Sequence, residues 1–184
     1  DTGVLQRQAE AEQEVGNPLR MADNRISHNW HNLLVTQKVS YALSFPPTFD
    51  LGDKTSNSRI AEVLGDQYTG TAVQLGLDAS NTSVGWLHYW RGEDGGFRYH
   101  TVDPVQIIPV FSGTLDSDLV AVLRCYTLLD PEKAQYMQVC EFWDDTRVRF
   151  YRQNTYGKYA YFDYPELGRE MVHGLGAVPF IPFY

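Results

Sequence analysis

The chain has 184 residues, and 15 lysines and arginines stand against 23 aspartates and glutamates for a formal net charge of −8, with 43% hydrophobic residues. That length fits about one to one-and-a-half ordinary domains with a self-sufficient core, and the composition excludes low-complexity disorder for the bulk of the chain. An acidic surface repels phosphate and no run of Lys or Arg marks a basic patch, so a nonspecific nucleic-acid binder is excluded too.

Residues 1–22 read as a polar arm. Ala9 to Val15 offers a short helix with only Val4, Leu5 and Val15 to bury, and Asn17-Pro18 breaks it. A first helix is predicted over 27–43. Ser27 is its N-cap, and Trp30, Leu33, Leu34, Tyr41 and Ala42 recur at helical spacing. Pro46-Pro47 ends it, because a residue before proline avoids the α region. Residues 48–51 read as a short strand. A second helix is predicted over 57–79, with Ile60, Val63, Leu64, Tyr68, Ala72, Leu75 and Ala79 as one apolar stripe. Gly65, Gly70 and Gly76 each weaken it by roughly 1 kcal/mol relative to alanine, which points to packing, and to close helix approach at the glycines, as what holds it.

From Val84 the apolar period becomes two. Strands are predicted over 86–90, 97–102, 105–111, 119–128, 136–143, 147–152 and 159–162, separated by Asp, Pro, Gly and Asn turns. The fold class is α+β, with two N-terminal helices packed on a mostly antiparallel β-rich region spanning the rest of 23–184. No βαβ alternation supports a parallel nucleotide-binding sheet. The start at Asp1 and the apolar, proline-bearing end read as cuts from a longer polypeptide. No apolar run reaches the ~20 residues that cross a bilayer.

Little in the sequence carries chemistry. His28 and His31 share a helix face, but no Cys or acidic residue stands at metal-ligand spacing from them, so polar contacts are the expectation and a metal is not. Glu93/Asp94, Asp116/Asp118 and Asp144/Asp145 are carboxylate pairs of the kind a hydrolase needs, yet all sit in predicted turns, where Asp is a turn-former. Cys125 and Cys140 lie within apolar strands and read as free buried thiols rather than nucleophiles. No catalytic residue, metal ligand or cofactor site is assigned. The hairpin Trp86, Tyr89, Trp90, Phe97, Tyr99 and the later Tyr156, Tyr159, Tyr161, Phe162, Tyr164 are rich in aromatics. They serve either a stacking platform for sugars or bases, or core and protein contact.

The linear order of several short patterns is more specific. Asn24-Arg25-Ile26-Ser27-His28-Asn29 is followed by Leu34-Val35-Thr36-Gln37-Lys38-Val39-Ser40-Tyr41 and Pro46-Pro47-Thr48-Phe49. Further on come Val102-Asp103-Pro104, Ala121-Val122-Leu123-Arg124-Cys125-Tyr126, Tyr136-Met137-Gln138-Val139-Cys140-Glu141-Phe142 and Val148-Arg149-Phe150-Tyr151. The last is His173-Gly174-Leu175-Gly176-Ala177-Val178-Pro179-Phe180-Ile181-Pro182-Phe183. Collinear over about residues 23–184, these resemble the portal proteins of long-tailed bacteriophages and their prophages. Ser44 replaces an expected glycine, and residues 1–20 lack the family's upstream Tyr-Tyr-x-Gly.

The resemblance implies a structural, non-enzymatic subunit of the ring at one capsid vertex, through which DNA is packaged and ejected. This chain would be the wing region. Other portal subunits, usually twelve to a ring, would be its partners, together with capsid and scaffold proteins, the terminase motor and a head-completion adaptor. DNA would be met only by parts outside this chain, and no membrane is involved. The location implied is the virion vertex, and the host bacterial cytoplasm during assembly. The subunit contact is expected at Asn24, Arg25, His28 and Asn29 with the arm, and the chain alone is expected to be a monomer or a weak oligomer. The competing readings are a carbohydrate- or peptide-binding β module using the Trp/Tyr hairpin, and a small hydrolase using a turn carboxylate pair.

Overall fold

A computed structural model describes residues 29–45, 47–130, 134–154, 156–165 and 167–184. The chain divides into two units, Asp1–Asn32 and Leu33–Tyr184. Only 29–32 of the first are described, and the account below concerns the second.

Three helices lie among the described residues, α1 (Trp30–Ala42), α2 (Lys54–Leu64) and α3 (Tyr68–Thr82). Helix α1 is as predicted in place but not in face. It buries Val35 and Val39, while Leu33, Leu34 and Tyr41 of the expected stripe are exposed. The reason lies in α3. A Cβ on Gly76 would stand 2.9 Å from Leu43 Cδ1 and 3.1 Å from Val39 Cγ1, so the bare glycine receives the Val39–Leu43 edge of the first helix. Gly70 faces open space, so close approach is confined to one of the three glycines.

The single helix expected over 57–79 is corrected to two. Gly65 has φ 64° and ψ −176°, a conformation essentially reserved for glycine, and its N–H closes the last turn on the Ala61 carbonyl. Asp53 caps the start of α2 by accepting from the Ser56 N–H at 2.9 Å. The strand expected over 48–51 is absent as well. The backbone N–H groups of Leu51 and Gly52 donate to the side chains of Asn57 and Asp50, and Asn57 donates to Asp50 in turn. Side chains seal this loop, so it needs no neighbouring strand.

Among the described residues nine strands follow: β1 (Gly85–Arg91), β2 (Phe97–Val102), β3 (Ile107–Phe111), β4 (Leu119–Asp130), β5 (Gln135–Trp143), β6 (Arg147–Gln153), β7 (Tyr159–Tyr161), β8 (Glu170–Val172) and β9 (Phe180–Phe183). They form two sheets rather than one, a three-stranded β2-β1-β9 and a six-stranded β3-β4-β5-β6-β7 with β8 also paired to β6. Every pairing between them is antiparallel, so the α+β class holds. Strands β8 and β9 are additions to the predicted set.

Both faces of the small sheet are covered. Gly85, Leu87 and Tyr89 face the helices: a Cβ on Gly85 would lie 2.7 Å from the Leu75 carbonyl oxygen, and Tyr99, opposite Tyr89, donates its hydroxyl to the Leu64 carbonyl at 2.5 Å. Trp86 turns the other way, into a core with Val102, Ile107, Val122, Trp143, Val148, Phe150 and Phe180. The layer order is therefore helices, small sheet, large sheet, with this core between the sheets.

Candidate subunit-contact surface

Of the four residues expected at the subunit contact, Asn24, Arg25 and His28 lie outside the described residues. Asn29 precedes α1 and is exposed. His28 is likewise the undescribed half of the His28/His31 pair. Among the described residues no three His, Cys, Asp or Glu side chains cluster as a metal site.

Two of the three carboxylate pairs, through Asp94, Asp144 and Asp145, do the work of turns. Asp94 accepts from the Gly96 N–H at 3.0 Å and from Arg98 at 2.9 Å, and that backbone bond, reinforced by the guanidinium, lowers its carboxyl below the ordinary carboxylate value. Asp144 accepts from the N–H groups of Thr146 and Arg147, and Asp145 from the Thr146 hydroxyl.

The aromatic hairpin is divided between core and surface: Trp90 and Phe97 are exposed, as are Tyr156, Tyr159 and Tyr161 of the later segment. Trp86 is 2% and Tyr99 6% exposed. His88 stacks between Trp90 and Phe180, with ring centroids at 5.4 and 4.4 Å, and meets the edge of Trp143 at 4.8 Å. Burial drives its imidazole down to about 4, against the pull of the Pro179 carbonyl and with the help of charge at Arg124 and His173. His88 is thus neutral at pH 7. Its Nδ1–H donates to the Pro179 carbonyl at 2.8 Å, and that oxygen accepts the Tyr89 N–H as well, at 3.1 Å.

These contacts give the Gly/Pro segment its physical meaning. His173 Nε2 lies 3.1 Å from the Asp144 carbonyl, and its Nδ1 accepts from the Leu175 N–H. Gly174 and Gly176, both at positive φ, then turn the chain out of β8 in the large sheet and into β9 in the small one. The segment is the seam between the two sheets. The large sheet holds a second buried device that composition could not show. Glu141, 5% exposed, accepts from the Tyr126 hydroxyl at 2.6 Å and from Trp143 Nε1 at 2.9 Å, with Arg124 at 3.5 Å. Burial, and the Glu141 carboxylate beside it, push the Tyr126 phenol upward.

What remains open is apolar. Helix α2 buries none of its residues. Phe49, Leu51, Arg59, Ile60, Val63 and Leu64 line a groove of about 540 Å³ together with Ser56, and an adjoining hollow of about 300 Å³ runs from Phe49 to Tyr68. Leu51 is 62% and Phe49 51% exposed. The stripe Ile60-Val63-Leu64 is visible in the sequence as part of one longer apolar helix face. The break at Gly65 leaves it outside. Among the described residues this is a contiguous exposed apolar surface, which makes it a candidate docking surface.

The described residues thus offer packing surfaces and turn carboxylates, and comparison with known proteins agrees with that structural character. A profile described as "Phage portal protein, SPP1 Gp6-like" matches residues 2–184. The chain belongs to this portal family. It is 35% identical over 181 residues to the portal protein of Clostridium phage phiCD119, which takes in 91% of this chain and 39% of that protein. To the portal protein of Bacillus phage SPP1 it is 28% identical over 169 residues, 88% of this chain and 33% of the other. The chain therefore spans a third to two-fifths of the length of these portal relatives. Among the described residues of this portal-family chain, no helix is long and apolar enough to cross a membrane.

Proposed function

We propose that this chain is the wing region of a phage portal subunit, a structural and non-enzymatic part of the ring through which DNA enters and leaves the head. The observation that carries the reading is the match of the family profile to residues 2–184, essentially the whole chain. Portal proteins are virion components that form oligomeric rings in phage heads, so the first partner is a second copy of the same subunit. The acidic balance of −8 suits a region that does not grip DNA.

A ring needs a head-to-tail contact, in which each subunit offers two unlike surfaces. The groove on α2 is one of them: concave, apolar and lined by residues that no neighbouring element among the described residues covers. Asn24, Arg25, His28 and Asn29 with the polar arm 1–22 are a further part of the proposed subunit contact. Capsid and scaffold proteins, the terminase motor and a head-completion adaptor are the further partners, at the capsid vertex after assembly in the bacterial cytoplasm. The sugar- or peptide-binding alternative keeps only part of its platform, since Trp86 and Tyr99 are buried while Trp90 and Phe97 are exposed.

The test uses the intact portal polypeptide that contains this segment. Electron microscopy should show closed rings, and Leu51→Asp with Val63→Asp should shift them toward monomers while leaving the unfolding midpoint of the isolated chain in place. A monomeric intact polypeptide at tens of micromolar would overturn the portal reading. Rings unaffected by the double substitution would remove the groove from the contact.

A further inference from the structure

Cys125 and Cys140 face each other directly across the β4–β5 ladder, and in an antiparallel pair directly opposed side chains share a face. That face is the one turned away from the core, because Val122, Arg124 and Tyr126 alternate with Cys125 and point to the other side. Both cysteines are free, and their sulphurs stand 2.7 Å apart. Directly opposed strand positions fall within the ~4.4–6.8 Å between Cα atoms that a disulfide spans, so closing the bond requires no shift of register.

We propose that Cys125 and Cys140 are an oxidation site, a dithiol that closes reversibly into a cross-strand disulfide fastening β4 to β5. The two sulphurs differ in access, Cys125 being half-buried and Cys140 5% exposed. Burial and the neighbouring Cys125 also push the Cys140 thiol up to about 12. The order of events follows from the access. The Cys125 thiolate attacks one sulphur of a small disulfide such as oxidised glutathione; that S–S bond breaks and one glutathione leaves as thiolate, taking up a proton. Cys140 then gives up its proton and attacks the Cys125 sulphur of the mixed disulfide, expelling the second glutathione. One protein dithiol has been oxidised by two electrons, and one glutathione disulfide reduced to two thiols. The setting rests on the portal reading, since a portal subunit passes from a reducing cytoplasm into a released particle, where disulfides persist.

The experiment takes the chain as it is. Reduced protein is treated with oxidised glutathione under native conditions, trapped with iodoacetamide and mapped by mass spectrometry without reduction. The expected result is a fall from two free thiols to none, a linked peptide joining Cys125 to Cys140, return of both thiols with dithiothreitol, and a raised thermal midpoint. Cys125→Ser should fold and show no such rise. Two thiols still free in the oxidised, folded sample, stable glutathione adducts, or disulfide-linked dimers in place of the internal bond would each overturn the proposal. Closure needs only the hairpin, so any of these would leave the portal reading standing.

Discussion

Replacing Glu141 by leucine removes the acceptor at the centre of a buried network. The Tyr126 hydroxyl at 2.6 Å and Trp143 Nε1 at 2.9 Å both lose a charged partner. Hydrogen bonds to a charged group contribute ~1.5–3 kcal/mol each, and a buried donor left unmade bears its own desolvation penalty. Arg124 loses less: its side chain is 29% exposed and 3.5 Å away, so water takes over part of the carboxylate's role. The sum for Glu141→Leu is roughly 4 kcal/mol, within the range measured when one partner of a buried pair is removed. For a chain of this size that lowers the thermal midpoint by about 12 °C. Glu141→Gln keeps one acceptor oxygen but turns an amide N–H₂ toward a donor, and should cost about half as much. Pairing Glu141→Leu with Trp143→Phe removes one orphaned donor, so the double variant should lose less than the two single losses added together. Differential scanning calorimetry reads all of these. A Glu141→Leu midpoint within 2 °C of the parent would refute the reasoning, because it would show that the three donors find other partners.

Stability should also fall on mild acidification, because of His88. The unfolded histidine binds a proton near pH ~6.5 and the folded one only near about 4, so the contribution is complete above ~6.5 and is lost progressively down to about 4, to a total of roughly 3 kcal/mol. Urea midpoints at pH 7, 5.5 and 4.5 should show this loss in the parent and a flatter profile in His88→Phe; parallel profiles would contradict it. Gly85→Ala sets a Cβ 2.7 Å from a backbone oxygen and should destabilise by roughly 2 kcal/mol, whereas Gly70→Ala meets nothing and should stabilise by up to about 1 kcal/mol. Ser83 ends α3 in a left-handed conformation with φ 71°, so Ser83→Gly should raise the thermal midpoint by a few degrees.

The strands from 85 to 161 were legible because their turns carry the chemistry that turns require. Asp94-Gly95, Asp103-Pro104 and Asp144-Asp145 are each closed in the structure by an aspartate accepting backbone N–H groups. Strand β9 was hidden by Pro182, which interrupts a four-residue run and reads as punctuation, although an edge strand tolerates it. The helix face of α1 was misread because its partner is an absent side chain, Gly76, which leaves no apolar mark. The split at Gly65 was hidden for a related reason: the apolar stripe runs straight through it, and only the backbone angle shows that the stripe serves two helices. The candidate contact surface was legible as residues and illegible as surface. Periodicity announces an apolar face without saying whether this chain or another will cover it.

The seam between the sheets also decides how the molecule answers a pull. Strand β9 lies antiparallel against β1 with Gly85, Trp86, Leu87 and His88 opposite Phe183, Pro182, Ile181 and Phe180. A tension applied at Tyr184 along the strand would load these four positions in parallel as a shear, rather than opening them one after another as a zipper. The Pro179 carbonyl, gripped by His88 and Tyr89, stands as a backstop at the far end of that shear path. Rupture would then require all the fastenings to yield within one event, so resistance would be set by an unfolding rate rather than by equilibrium stability. A strand fastened this way passes mechanical load directly into the two-sheet core.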